Sequence, residues 1–158
     1  MIVLDTNVLS EMMRLEPASV VDAWLARQPL ASLYTTVITR AEILYRLATI
    51  PLGRRRTALE REFRDMLEAD FTGCVLVFDG AAAESYARFM AQRRRAGRPV
   101  GHQDGQIAAI ALSRGAAVAT RNTADFNGGG LEQYSAKLNR LRCGPGAAIG
   151  QARREERC

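Results

Sequence analysis

The stretch Met1-Ile2-Val3-Leu4-Asp5-Thr6-Asn7 decides how the chain is read. Ile2-Val3-Leu4 is a short continuous apolar run, which predicts a strand buried on both faces. Asp5-Thr6-Asn7 supplies side chains suited to starting a helix. A buried strand that passes straight into a helix is the first half of a βα unit, and the rest of the chain continues in that style. After Pro17, Val20, Val21, Trp24 and Leu25 mark a helix. Leu33-Tyr34-Thr35 is β-rich and predicts a second strand. Val37, Ile38, Ala41, Leu44, Tyr45 and Ala48 form a stripe of helical period closed by Pro51. A charged helix follows from Arg54 to Ala69, with Leu59, Phe63, Met66 and Leu67 on one side. Val75-Leu76-Val77-Phe78 predicts a third strand, and Ala82, Tyr86, Phe89 and Met90 a helix that stops at Gly97 and Pro99. Ile107, Ala108, Ile110 and Ala111 give another helix, and Ala117-Val118-Ala119-Thr120 a fourth strand. Short apolar strands alternating with amphipathic helices indicate an α/β fold with a central, mostly parallel sheet flanked by helices. In such sheets functional sites gather at the carboxyl ends of the strands.

The gross composition narrows the chemistry. At 158 residues, 47% apolar and 25% charged, the chain has the size and balance of one globular domain. The longest uncharged run, Gln28 to Thr39, is interrupted by Pro29 and falls short of the roughly 20 apolar residues that span a membrane. Met1 to Leu4 runs into Asp5 with no basic leader, so the expected compartment is the cytoplasm. Cys74, Cys143 and Cys158 are widely spaced and His102 is the sole histidine, which argues against a disulfide framework or a zinc centre. Any metal would be held by oxygen, which suits magnesium or manganese. The net charge of +5 sits mostly in residues 133–158, which carry six basic and two acidic side chains. Two internal clusters, Arg54-Arg55-Arg56 and Arg93-Arg94-Arg95 with Arg98, fit either a solvated helix face or phosphate contact. After Asp125-Phe126 the periodicity fades. Leu131 to Leu141 fits one helix, and the last dozen residues read as frayed. The expected division is one folded domain over 1–132 and a basic, partly disordered tail over 133–158.

Four carboxylates stand out by position. Asp5 directly follows the first strand, where it fits either a helix cap or a site at the sheet edge. Glu42 lies at the edge of the third helix's apolar stripe, and an exposed boundary residue is the alternative. Asp104 opens a helix in line with Ile107, Ala108 and Ala111. A carboxylate on a core-facing stripe is costly unless capped, paired or bound to metal. Asp125 follows the last strand in Thr120-Arg121-Asn122-Thr123-Ala124-Asp125-Phe126, where a cap or turn role is also open. A parallel sheet can bring these groups to one edge. Clustered carboxylates repel, and a divalent cation relieves that repulsion while activating water against a phosphodiester.

With those residues in view, the chain resembles the PIN-domain ribonucleases, specifically VapC-type toxins close to FitB. Met1-Ile-Val-Leu-Asp-Thr-Asn-Val-Leu-Ser10, Thr39-Arg-Ala-Glu-Ile43, Asp104-Gly-Gln-Ile-Ala-Ala-Ile-Ala111 and Val118-Ala-Thr-Arg-Asn-Thr-Ala-Asp-Phe126 carry the match, in family order and spacing. The resemblance implies a PIN-like three-layer domain and a metal-dependent endoribonuclease, the toxin of a type II toxin–antitoxin pair. Asp5, Glu42 and Asp104 would form the acidic core, with Asp5 and Asp104 binding Mg2+ (or Mn2+) directly. Asp125 or Asn122 would fill the fourth position, and the hydroxyls of Thr6 and Thr120 would orient the acids. A metal-activated water would hydrolyse RNA, leaving a 5′-phosphate and a 3′-hydroxyl. The implied partners are RNA, a VapB-like antitoxin, a second copy of the chain in a homodimer, and operator DNA through the antitoxin only. Leu131-Glu132-Gln133-Tyr134-Ser135 and the Arg-rich tail depart from the family's usual ending.

Two other readings are weaker. A haloacid-dehalogenase-like phosphatase or a receiver domain also begins with a strand and an Asp. The first wants an Asp where Asn7 stands, and both want a lysine, whereas the one lysine is Lys137 in the tail. The non-enzymatic alternative is an antitoxin-binding partner, with little or no catalysis, that contributes to transcriptional autoregulation. His102 fits a polar residue at a helix start better than a catalytic base. Trp24 and Tyr45 fit core or groove wall better than base-stacking platforms.

Overall fold

A computed structural model describes residues 1–14, 18–126 and 130. Four parallel strands, β1 (Ile2–Leu4), β2 (Leu33–Thr36), β3 (Val75–Leu76) and β4 (Ala117–Ala119), lie in the order β3-β2-β1-β4. Among the described residues seven α-helices connect and cover them: α1 (Thr6–Met12), α2 (Ser19–Leu25), α3 (Val37–Ala48), α4 (Arg54–Asp70), α5 (Gly80–Arg95), α6 (His102–Ser113) and α7 (Thr123–Phe126). The mostly parallel sheet expected from the sequence is parallel at every described pairing.

The strands alternate their side chains between two cores. Ile2, Leu4 and Ala119 join Leu9, Trp24, Leu33, Ile43 and Phe63 on one face. Val3 and Val118 join Phe89, Ile107, Ala111 and Phe126 on the other. This period of two, with helices on both faces, gives the three layers and explains why β1 and β4 read as unbroken apolar runs.

Strand order fixes where a site can form. The chain moves from β1 to β2 and β3 on one side, and β4 then returns to the other side of β1. The order therefore reverses between β1 and β4, and in open parallel sheets the crevice at such a switch point receives ligands. Asp5 N–H donates to the Ala119 carbonyl at 3.1 Å, so the β1–β4 ladder continues one residue beyond β1. Asp5 and Thr120 are left side by side at its end.

Several sequence expectations need correction. The third strand is two residues rather than four, and the fourth ends at Ala119 with Thr120 beyond it. The helix carrying Asp104 starts at His102, which places Asp104 in its first turn. The apolar stripe assigned to α3 is rotated. Thr39, Ile43 and Leu47 are its buried residues, while Ala41, Tyr45 and Ala48 are exposed, Tyr45 at 72%. Thr36 caps the helix, with Thr39 N–H donating to its Oγ1 at 3.0 Å, and the buried face carries Thr39, Ile43 and Leu47 rather than the denser apolar stripe. Trp24 is core, as expected, at 2% exposure, whereas Tyr45 is not. The proposed 131–141 helix and the 133–158 tail lie outside the described residues.

Candidate active site

Asp5 is the helix cap that the sequence offered, and it also stands at the sheet edge beside Thr120. Its Oδ1 accepts from Val8 N–H at 2.8 Å, and α1 starts from that bond. Its Oδ2 accepts from Thr120 Oγ1. The Thr120 oxygen in turn accepts from Asn122 N–H at 2.9 Å, which turns the chain sharply after β4. Asp5 is buried, and desolvation pushes its carboxyl above the usual value despite the bonds from Thr120, Val8 and Asn7; the charge of Glu42 pushes the same way.

Glu42 reaches the same edge from α3, and its Oε2 accepts from Thr6 Oγ1 in the first turn of α1. Asp125 sits on α7. Phe126, fully buried in the second core, holds that helix, and Arg93 Nη2 donates to the Ala124 carbonyl at 2.9 Å. Asn122 Nδ2 donates to Asp125 Oδ2, so Asn122 orients this acid.

Asp104 ties the set together. Gly105 has no side chain, which lets α6 lie against α5; a Cβ there would meet Met90 Sδ at 2.5 Å and Tyr86 Cε2 at 3.1 Å. That close approach carries the first turn of α6 to the sheet edge. The Asp104 carboxyl is pushed up to about 6, first by desolvation, then by the charges of Asp125, Glu42 and Asp5, and by its hydrogen bond with Asp125. All four predicted carboxylates are therefore electrostatic neighbours, and Thr6, Thr120 and Asn122 are the groups bonded to them. Among the described residues none of the four forms an ion pair with a basic side chain.

Donor chemistry is a direct test of fit to a metal. The edge offers carboxylate and hydroxyl oxygens and no thiolate. The nearby His102 bonds to Tyr86 Oη through Nδ1 at 2.6 Å at the start of α6, which agrees with its reading as a helix-start residue. Among the described residues no three acids converge tightly enough to hold one ion alone. Magnesium does not need three: it keeps several waters and binds through one or two carboxylates. The residues fit magnesium or manganese.

Of the two arginine clusters singled out in the sequence, Arg56 pairs with Glu60 at 2.7 Å, while buried Arg93 meets the site's edge through the Ala124 carbonyl beside Asp125. Two exposed basic residues beside the site, Arg14 and Arg121, went unnoticed in the sequence. So did Glu11, which binds both at 3.0 Å. A signal was present: Glu11 shares the buried face of α1 with Val8, the same anomaly that exposed Asp104.

Residues 2–127 match the PIN domain family. The chain is 44% identical to the VapC ribonuclease Y4jK of Sinorhizobium fredii, a match that covers 84% of this chain and 94% of that protein. It is 36% identical to toxin FitB of Neisseria gonorrhoeae, over 80% of this chain and 91% of that one. Among solved structures it superposes on a chain of FitAB bound to an IR36 DNA fragment with a TM-score of 0.80 and 34% identity, over 85% of this chain and 94% of that one. The chain belongs to the PIN-domain family, in its VapC group of toxin–antitoxin toxins. Among the described residues no helix is long and apolar enough to cross a membrane.

Proposed function

We propose that the protein is a magnesium-dependent endoribonuclease, the toxin of a toxin–antitoxin pair. The observation that carries the reading is Asp104. Its carboxyl is held against Asp125, Glu42 and Asp5 at the β1–β4 switch point with no basic partner among the described residues. Such an arrangement costs free energy unless a cation compensates it. Asp5 and Asp104 are the groups that would hold Mg2+ or Mn2+, and Glu42 and Asp125 complete the acidic edge. When bound, the metal supplies charge neutralisation at the phosphodiester and a lowered pKa for the attacking water.

The chain's own residues do the positioning. Thr120 and the Val8 N–H fix both oxygens of Asp5, and a carboxylate has lone pairs beyond those two bonds with which to hold a cation. Thr6 fixes one oxygen of Glu42, and Asn122 one oxygen of Asp125. These bonds hold three of the four acids in place before substrate arrives, so little reorganisation is needed during reaction. Glu42, whose Oε2 alone is bonded, is placed to accept a proton from the attacking water.

FitAB's DNA complex and the VapC relatives support a further part of the reading. The protein is held inactive by a cognate VapB-like antitoxin, and it reaches operator DNA through that partner only. The deciding experiment uses protein freed of any antitoxin, structured and unstructured RNA, and magnesium, manganese or EDTA. Metal-dependent cleavage that Asp104→Asn abolishes supports the reading. Cleavage indifferent to both EDTA and the substitution, or no cleavage of any RNA, overturns it in favour of a binding role.

A further inference from the structure

Beside the acidic edge lies a groove of 510 Å³ lined by Asn7, Ser10, Glu11, Arg14, Arg121 and Asn122. It is contiguous with the site in sequence and in space. Asn7 lies two residues after Asp5, and Asn122 bonds Asp125 at its other end. Arg121 stands between Thr120, which bonds Asp5, and Asn122.

Glu11 organises this groove from below. Its side chain is only 5% exposed, yet both oxygens are engaged. Oε1 accepts from Arg14 Nη1 at 3.0 Å and from Ala18 N–H at 2.9 Å, and Oε2 accepts from Arg121 Nη1 at 3.0 Å. Burial alone would push this carboxyl up, but the Ala18 N–H and the two guanidinium groups outweigh it and hold it below its ordinary value. Two guanidinium groups thus share one carboxylate, and the trio keeps one net positive charge. The arginine side chains remain 65% and 52% exposed, and among the described residues their Nε and Nη2 donors bond to no other acceptor. A guanidinium pinned at one nitrogen still presents a fork to a phosphate, with part of its rotamer entropy already lost.

We infer that this groove binds a backbone phosphate of the RNA next to the one being cleaved, with Arg14 and Arg121 as the clamp and Glu11 as the positioning residue that holds both. The inference rests on the ribonuclease reading above and adds a subsite to it. It also answers an electrostatic difficulty. An edge of four acids repels a polyanion, and a fixed positive group alongside attracts the strand and sets its register on the crevice.

The test uses the full chain, freed of antitoxin, with Arg14→Gln, Arg121→Gln and Arg121→Lys. Cleavage of single-stranded RNA in magnesium is measured together with the salt dependence of RNA binding by the same variants carrying Asp104→Asn. Each glutamine variant is expected to raise KM about five- to tenfold with kcat little changed. It should also make the slope of log K against log salt shallower by about 0.7, the value for one lost phosphate contact on a single strand. Arg121→Lys is expected to keep the slope while recovering only part of the affinity, because lysine carries the charge without the fork. Unchanged KM and slope in both glutamine variants, with the parent still cleaving RNA, would overturn the subsite and leave the ribonuclease reading intact. A fall in kcat at constant KM would overturn it too, since the arginines would then act through the acids. A parent that neither cleaves nor binds RNA would overturn both.

Discussion

Thr120 donates its hydroxyl hydrogen to Asp5 across the β1–β4 switch point, joining residues 115 positions apart at the base of the acidic edge. The two strands are in register to their last residue, so the hydroxyl meets the carboxylate without either side chain leaving its strand direction. Thr120→Val keeps the shape and removes the donor, leaving a buried carboxylate oxygen short of a partner. The expected cost is about 1–3 kcal/mol of stability and a fall in RNA cleavage of about 10–100-fold. Chemical denaturation and cleavage assays check the two effects. A variant as stable and as active as the parent would show the bond to be incidental.

Asp104→Asn should separate stability from activity. A carboxyl whose folded pKa lies above its unfolded value binds more protons in the folded state between the ordinary 3.8 and about 6. Stability therefore falls as pH rises through that window and stays lowered above it. Without metal, the asparagine variant should be more stable than the parent at pH 7, on the order of 1–2 kcal/mol after allowance for partial exposure. The gain should vanish below the usual carboxylate range. Thermal melts from acid to neutral pH in EDTA measure it, and a variant less stable than the parent at neutral pH would contradict the electrostatic account.

Magnesium should act on the same balance. It binds only the folded site, so the melting temperature of the parent should rise with magnesium concentration. Asp104→Asn and Asp5→Asn should blunt that rise, and Glu42→Gln should weaken it less, because Glu42 is not among the expected direct ligands. Equal magnesium-induced shifts in the parent and the Asp104 variant would place the ion elsewhere.

Thr6→Val tests the other end of the edge. Thr6 Oγ1 holds Glu42, and α3 carries that acid at a half-buried position. Removing the donor lets the Glu42 side chain rotate away, with an expected loss of cleavage of about tenfold and little change in melting temperature. A cleavage rate equal to the parent's would mean that packing alone positions Glu42.

Glu11→Gln should behave oppositely to Asp104→Asn with pH. The Glu11 carboxyl is held below its ordinary value of 4.5, so its contribution is fully present above that value and is lost as pH falls through the folded value. At neutral pH the substitution is expected to cost about 1–2 kcal/mol, discounted for the exposed arginine partners. At strongly acid pH parent and variant should converge. A constant difference across the range would trace the effect to packing rather than charge.

The sequence by itself determined the strand runs, the order of helix and strand, and the chain positions of Asp5, Glu42, Asp104 and Asp125. These are local properties: apolar run length, helical period and the chemistry of capping residues act within a few positions. It also made Asp104 conspicuous, because a carboxylate in line with Ile107 and Ala111 breaks an apolar face. Only the tertiary structure decided how Asn122 and Asp125 stand to the other acids. The sequence leaves both open for the fourth position; in the fold Phe126 is buried on α7, Asp125 neighbours Asp104, and Asn122 donates to Asp125. It also decided the face of α3, which buries Thr39, Ile43 and Leu47 instead of the denser apolar stripe, and it gathered Arg14 and Arg121 onto Glu11 across 107 positions of chain. Partnerships of that kind depend on strand order and on what each buried charge finds beside it, and neither is written in the spacing of residues along one segment.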